Sequence, residues 1–174
     1  RGVRMLWDSD RFFMGLAIGI ARSEPTGQEV PVGAVLVQNG VILSMATNAI
    51  VTDTHPLRHA ETLALERAFR RTGTLRIPHT TLYTTLEPCA MCAGAIVLAR
   101  VERVVIGAMD EKRGCGGSVY NLLDAPALNH RARVTTGVRE AECAALLTQF
   151  FQAVRANKKK KNAQTTSLMG NKER

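Results

Sequence analysis

Four residues in two short segments have the types and spacing to do chemistry together: His59 and Glu61 in His59-Ala60-Glu61, and Cys89 and Cys92 in Pro88-Cys89-Ala90-Met91-Cys92. Each segment opens a stretch with helical spacing, so both can project side chains from a first turn into a common cavity. Cys89 and Cys92 are three apart and share one helix face. Helix N-termini favour negative charge, which helps sulfurs placed there remain thiolates. One imidazole and two thiolates suit tetrahedral Zn2+ and leave a fourth position open for water. Zn2+ can bring the pKa of a bound water from about 15.7 toward about 7, which makes hydroxide available at neutral pH. Glu61 is not needed as a ligand. A single carboxylate can take up and return a proton in successive steps. The predicted chemistry is hydrolysis at one Zn2+ per chain, with Glu61 carrying the proton.

Each half of this pattern has other readings when taken alone. His-Ala-Glu is a weak signal, and Cys-x-x-Cys also fits a redox pair or half of a structural zinc site. A structural site would have to recruit Cys115 or Cys143. Cys143 lies beside alanines on a predicted helix and reads as a packed core thiol. Cys115 sits in a Gly-rich loop, where exposure is expected. The two halves together, each at a helix start, favour a catalytic site. The chain shows no secretory features, so the cysteines are read as metal-binding or packed thiols and not as disulfides.

The elements that must hold these residues can be read from periodicity. A helix is predicted over Ser9–Arg22, with Phe12, Phe13, Leu16 and Ile20 as its apolar stripe and Pro25, Thr26 and Gly27 ending it. Val32–Val37 reads as a strand in which Gly33 marks close backbone approach. Asn39-Gly40 is a two-residue hairpin turn, returning into a strand over Val41–Ala46. A loop over Thr47–Pro56 leads to a helix at His59–Arg71. Thr80–Thr84 reads as a strand. A third helix is predicted to start with Pro88 at its first position and to reach Arg100. Val101–Ala108 is a buried strand, Val134–Gly137 a short one. A last helix spans Val138–Asn157, with Leu146, Leu147, Phe150 and Val154 facing inward. Strands joined through helices require some parallel pairing, so the expected fold is a three-layer α/β domain.

The 174 residues suit one domain. Hydrophobic residues make up 45% and charged residues 22%, as expected of a soluble globular chain. No apolar run approaches the roughly 20 residues of a membrane span, and no targeting signal is recognised, which points to the cytoplasm. Residues 1–8 read as a leader, 9–157 as the catalytic domain and 158–174 as a basic, disordered tail. The net charge of +8 is uneven: from Arg155 onward seven Lys/Arg stand against Glu173 alone, so the end of the chain carries +6 and the rest +2. That end is either a polyanion-binding segment, with nucleic acid the obvious partner, or a solvated tail.

The sequence resembles the bacterial tRNA-specific adenosine deaminases of the cytidine deaminase superfamily over about Asp10–Arg155. The resemblance rests on the His-x-Glu and Pro-Cys-x-x-Cys pair. It rests also on the segments from Glu29 to Val37, Leu82 to Ala95 and Val104 to Ala108, on Asn129-His130-Arg131, and on the run from Glu142 to Leu147. It implies a cytidine-deaminase-like αβα fold with a mixed five-stranded sheet and a homodimer. It also implies hydrolytic conversion of a wobble adenosine to inosine in a tRNA anticodon stem-loop. By match to family positions, Asn48 should hydrogen-bond the extruded base, and Asp110 and Lys112 should contact the adjoining sugar and phosphate. Phe150, Phe151 and Arg155 should lie near the anticodon loop. A free-base or nucleoside deaminase and a non-catalytic zinc-stabilised RNA-binding subunit are the competing readings; Glu61 argues against the second.

Overall fold

The computed structural model describes residues 2–24 and 26–170, with side chains described for residues 9–24 and 26–164. Arg1 and residues 171–174, the ends of the expected leader and tail, lie outside the described residues, as does Pro25 of the expected helix stop. Nine elements follow in order: α1 (Gly2–Arg22), β1 (Gly33–Gln38), β2 (Val41–Thr47), α2 (Ala60–Thr72), β3 (Thr80–Leu86), α3 (Ala90–Leu98), β4 (Arg103–Ala108), β5 (Arg133–Thr135) and α4 (Glu140–Gly170). The strands form one sheet in the order β2-β1-β3-β4-β5. β1 is antiparallel to both neighbours, while β3, β4 and β5 run parallel.

Alternation along the strands divides the core into two layers. Ala34 and Leu36 of β1, Leu82 of β3, and Val104 and Ile106 of β4 face α2 and α3, meeting Leu63, Ala64, Ala68 and Ile96. Val35, Val37, Tyr83 and Val105 face the other way, against Phe13, Met14, Ala17 and Ile18 of α1 and Cys143 and Leu146 of α4. The result is an αβα sandwich. Gly33 is required here: a Cβ on it would lie 1.9 Å from the Ala17 carbonyl oxygen, so α1 approaches β1 only over a residue without a side chain. Asn39 and Gly40 take positive φ values of 48° and 80°, as the tight hairpin demands.

Four details differ from the sequence reading. The buried face of α1 is Phe13, Met14, Ala17, Ile18 and Ala21, whereas Phe12 is 60% exposed; the small Ala17 and Ala21 hid the true phase of the stripe. Pro88 precedes the N-cap of α3, which is Cys89, and so lies outside the helix. Val154 is exposed, on the wall of a shallow cavity that α4 forms with Gly27 and Gln28. Finally, α4 does not stop at Asn157 but continues to Gly170. Four lysines open that extension and Ala163, Gln164, Leu168 and Met169 follow, all good helix formers, and neither Gly nor Pro interrupts it before Gly170.

Candidate active site

β2, β3 and β4 end at one edge of the sheet and β1 begins there, so the connections at that edge converge. His59 caps α2 and Cys89 caps α3, both with extended backbone. N-caps are ordinarily Ser, Thr, Asp or Asn, whose side chains bond the first free amides of the helix. Neither His59 nor Cys89 makes such a bond, because both side chains turn toward each other. The missing cap on α2 is supplied from a distance: Asn48 Oδ1 accepts the Ala60 N–H at 2.9 Å, while its Nδ2 donates to the Val30 carbonyl at 3.0 Å.

His59 Nδ1 lies 3.7 Å from Cys89 Sγ and 3.6 Å from Cys92 Sγ. Among the described residues these three form the group able to hold a metal ion, with one ligand atom from each and all three atoms within 4.8 Å of one another. Ligands at about 2.0–2.1 Å (N) and 2.3 Å (S) around a tetrahedral ion stand about 3.6 Å apart, so the set fits Zn2+. Cys115 and Cys143 take no part in it. Both are buried; Cys115 was expected to be exposed, but its loop folds inward and its Sγ donates to the Arg113 carbonyl.

Glu61, in the first turn of α2, is only 3% exposed. Burial pushes its carboxyl up to about 7, against the lowering effect of its own backbone N–H and of His59. Hydrogen bonding from Cys92 and then His59 pulls the Cys89 thiol down to about 3, while the Cys92 thiol is pushed far up by its bond to Cys89 and by burial. The bond to Cys89 in turn raises His59. Two sulfurs and a carboxylate this close can be ionised together only against a cation.

His59, Glu61 and Cys89 line a pocket of about 80 Å3 with Val30, Val32, Asn48, Ile50, Leu86, Glu87, Asp110 and Arg113. Of the predicted contacts, Asn48 and Asp110 therefore reach it. Lys112 and Phe151 do not; they line a neighbouring cavity with Met109, Leu147 and Arg113. Phe150 lies over Gly27 and Gln28 in a third, and Arg155 is exposed one turn beyond Phe151. The cavity at His59 and Cys89 and the one at Lys112 and Phe151 share Val30, Leu86, Asp110 and Arg113.

Three contributors had no role in the sequence reading. Glu87 is buried and organises the loop that follows β4. Its carboxylate accepts the N–H groups of Asp110 (2.8 Å), Gly116 (2.9 Å) and Ser118 (2.9 Å) and the Ser118 hydroxyl. A Cβ on Gly114 would strike that carboxylate at 2.1 Å. Glu29 Oε1 accepts the N–H groups of Val51 and Thr52 and so holds the wall that carries Ile50. Arg113 stands at the rim, its Nε 3.5 Å from Asp110 Oδ2. The signal for the two glutamates was their place inside the family segments; nothing local marks Arg113.

Residues 7–108 match the model of the cytidine and deoxycytidylate deaminase zinc-binding region. The tRNA-specific adenosine deaminase of Bacillus subtilis is 48% identical over 86% of this chain and 93% of its own. That of Aquifex aeolicus is 42% identical over 84% of this chain and 96% of its own. A solved tRNA:A34 deaminase, studied for A-to-I editing at the wobble position of transfer RNA, superposes with a TM-score of 0.74 at 39% identity. It covers 78% of this chain and 99% of its own. The guanine deaminase of Nitrosomonas europaea superposes at 0.68 with 27% identity, over 80% and 83%. With its His/Cys/Cys group at the caps of two helices, the chain belongs to the zinc-binding cytidine and deoxycytidylate deaminase family, and within it to the tRNA-specific adenosine deaminases.

Proposed function

We propose that this protein converts adenosine to inosine at the wobble position of a tRNA anticodon, in the cytoplasm, with Glu61 as its proton shuttle. The observation that carries the reading is a buried carboxyl, that of Glu61, on the same pocket as the His59 and Cys89 side chains. His59, Cys89 and Cys92 would hold Zn2+, which when bound supplies an activated water as nucleophile. Glu61 would carry one proton from the attacking water to the ring nitrogen as the C–O bond forms at the amine-bearing carbon, and a second from the added hydroxyl to the amine as the C–N bond breaks and ammonia leaves. A single carboxylate can do both because the transfers occur in sequence. Burial serves the same end by excluding bulk water from the exchange.

The walls orient the base. Val30, Val32 and Ile50 offer apolar surface to a flat ring. Asn48 already uses one bond at each end of its amide, but its Oδ1 keeps a lone pair and its Nδ2 a second hydrogen for the base edge. Asp110 is set at the mouth by the Glu87 bond to its own N–H, within reach of a ribose hydroxyl. Lys112, Phe150, Phe151 and Arg155 lie farther out, in positions suited to flanking nucleotides. An anticodon loop is single-stranded, so extruding its base costs less than from a duplex. Two copies are expected to pair through the groove between α2 and α3, where Leu75 and Leu98 are 93% and 85% exposed beside Phe69.

The likeness to a guanine deaminase keeps one alternative in view, a free-base substrate. Incubation with an anticodon stem-loop RNA, free adenosine, guanine and cytidine separates the two. Inosine in the RNA with little turnover of the free compounds is the expected result. Turnover of a free base with none on the RNA would overturn the reading.

A further inference from the structure

The pocket at His59 and Cys89 is lined by two buried carboxyl groups, Glu61 and Glu87. Glu87 stands two residues before Cys89, between β3 and α3, and is 2% exposed. Its Oε1 accepts the N–H groups of Gly116 and Ser118, each at 2.9 Å. Its Oε2 accepts the Asp110 N–H at 2.8 Å and the Ser118 hydroxyl. A carboxylate offers about four lone-pair sites, and these four donors occupy them. Glu87 therefore has nothing left for a substrate or for a proton in transit.

All four donors belong to the loop after β4. The same junction holds that loop by its backbone as well: the Glu87 N–H donates to the Ala108 carbonyl and the Cys115 N–H to the Pro88 carbonyl, both at 2.8 Å. Asp110 is then fixed from within the loop. Its Oδ1 accepts the N–H groups of Lys112 and Arg113 at 3.0 and 3.1 Å, and its carbonyl accepts that of Gly114 at 2.8 Å. A Cβ on Gly114 would fall 2.1 Å from Glu87 Oε2, so the loop closes tightly over the carboxylate. The segment Glu87-Pro88-Cys89 thus presents a sulfur at one end and carries the Asp110 loop at the other. Two residues of chain and one carboxylate set the offset between them.

We infer that Glu87 is a positioning residue: its carboxylate holds Asp110 at a fixed offset from the metal ligands, and so governs capture of the substrate and not the proton transfer given to Glu61. The inference rests on the proposed reading in which Asp110 meets the substrate's ribose. An amide cannot stand in for this carboxylate. In Glu87→Gln the side chain has one oxygen and one NH2 group. With the oxygen toward Gly116 and Ser118, the NH2 meets the Asp110 N–H, donor against donor. The opposite flip sets the NH2 against two N–H groups. The first orientation loses fewer bonds, and the bond it loses is the one that places Asp110.

Steady-state kinetics on an anticodon stem-loop RNA, with hydrogen exchange of the full chain read by mass spectrometry, test this. Glu87→Gln is expected to raise KM about tenfold while kcat changes much less. Amides of the 109–118 loop should exchange faster, and those of β1 and β3 at the parent rate. Ser118→Ala removes one donor and leaves the carboxylate in place, so it should act in the same direction by about threefold; it carries the test if the Gln variant does not fold. The deciding comparison is made in an Asp110→Ala background. There Glu87→Gln should raise KM by no more than about twofold, because the group it positions is gone. The full tenfold rise in that background would mean that Glu87 acts elsewhere, and overturns the inference. So does unchanged loop exchange in both variants, or a loss confined to kcat. Zinc content and thermal unfolding report the metal group and the fold separately. A parent chain that forms no inosine in the RNA counts against the proposed substrate; faster loop exchange in the two variants then still supports the clamp.

Discussion

Two buried polar clusters occupy opposite faces of the same sheet. On the α1/α4 side, Asp10 receives two bonds from the Arg103 guanidinium at 2.7 and 2.8 Å and one from the Tyr83 hydroxyl at 2.9 Å, and Arg103 also reaches Thr135. Charge meets charge and every bond is made. Its pKa shifts follow: Arg103 is raised chiefly by Asp10, and Tyr83 is held protonated by burial and the same carboxylate. Such a cluster has nothing left to offer a substrate. On the α2/α3 side, His59, Glu61, Cys89 and Cys92 crowd together with three acids to one base, and no arrangement of their own protons satisfies them all. Burial alone therefore does not mark a site. What separates the two is whether the buried groups balance one another.

The largest expected effect is on the unbalanced side. Glu61→Gln should lower kcat by about 10²–10⁴-fold or more, while metal analysis still finds one zinc per chain and thermal unfolding is not lowered. Retained activity would remove Glu61 from the proton path. On the balanced side, Arg103→Met should cost about 3–5 kcal/mol of stability by stranding the Asp10 carboxylate, read by denaturant unfolding. Turnover per folded molecule should stay within about twofold, because no member of the cluster reaches the pocket. Replacing the whole set, with Asp10→Leu, Tyr83→Phe and Arg103→Met together, should recover most of that loss, since a buried ion pair exchanged for apolar packing is often close to neutral. No analogous exchange of His59, Glu61, Cys89 and Cys92 could keep activity. A triple variant no more stable than Arg103→Met would mean that the cluster's geometry, not its charge balance, carries the stability.

The smallest effect sharpens the contrast in pH. Metal binding needs a neutral imidazole and ionised thiols. Cys89 raises His59 above its ordinary value, so protons compete with zinc earlier on acidification than they would for a free histidine. Zinc measured by a colorimetric chelator should be released as pH falls through the region of the His59 pKa, with activity lost in parallel. Far-ultraviolet circular dichroism should persist there. Simultaneous loss of zinc and fold would show that the metal holds the domain together as well as serving the reaction.

The cluster of His59, Cys89 and Cys92 was legible because its geometry is local. Two residues at a helix cap and two at a spacing of three need only the helix that follows them, and the helical periods after His59 and Cys89 are plain. The strands of the sheet were legible for the same reason: alternation and Asn39-Gly40 are short-range signals. What periodicity misjudged was phase or context. Phe12 falls on the apolar stripe yet is exposed, and Cys115 sits among glycines yet is buried. The end of α4 lacks an apolar period, but its helix propensity carries the helix on to Gly170.

The amino-acid sequence by itself determined the chemistry available to this protein: which side chains can hold a metal, which can move a proton, and where the excess positive charge is concentrated. The tertiary structure decided what those groups face. It brought Asn48 to cap α2 from a distant loop, set Glu87 beneath the Asp110 loop, and put Arg113 at the rim. It assigned Lys112 and Phe151 to an adjoining cavity and continued α4 through the lysines to Gly170. These outcomes depend on β3 and β4 ending at the same edge of the sheet where β1 begins. That register is a property of the packed strands and is written in no single segment.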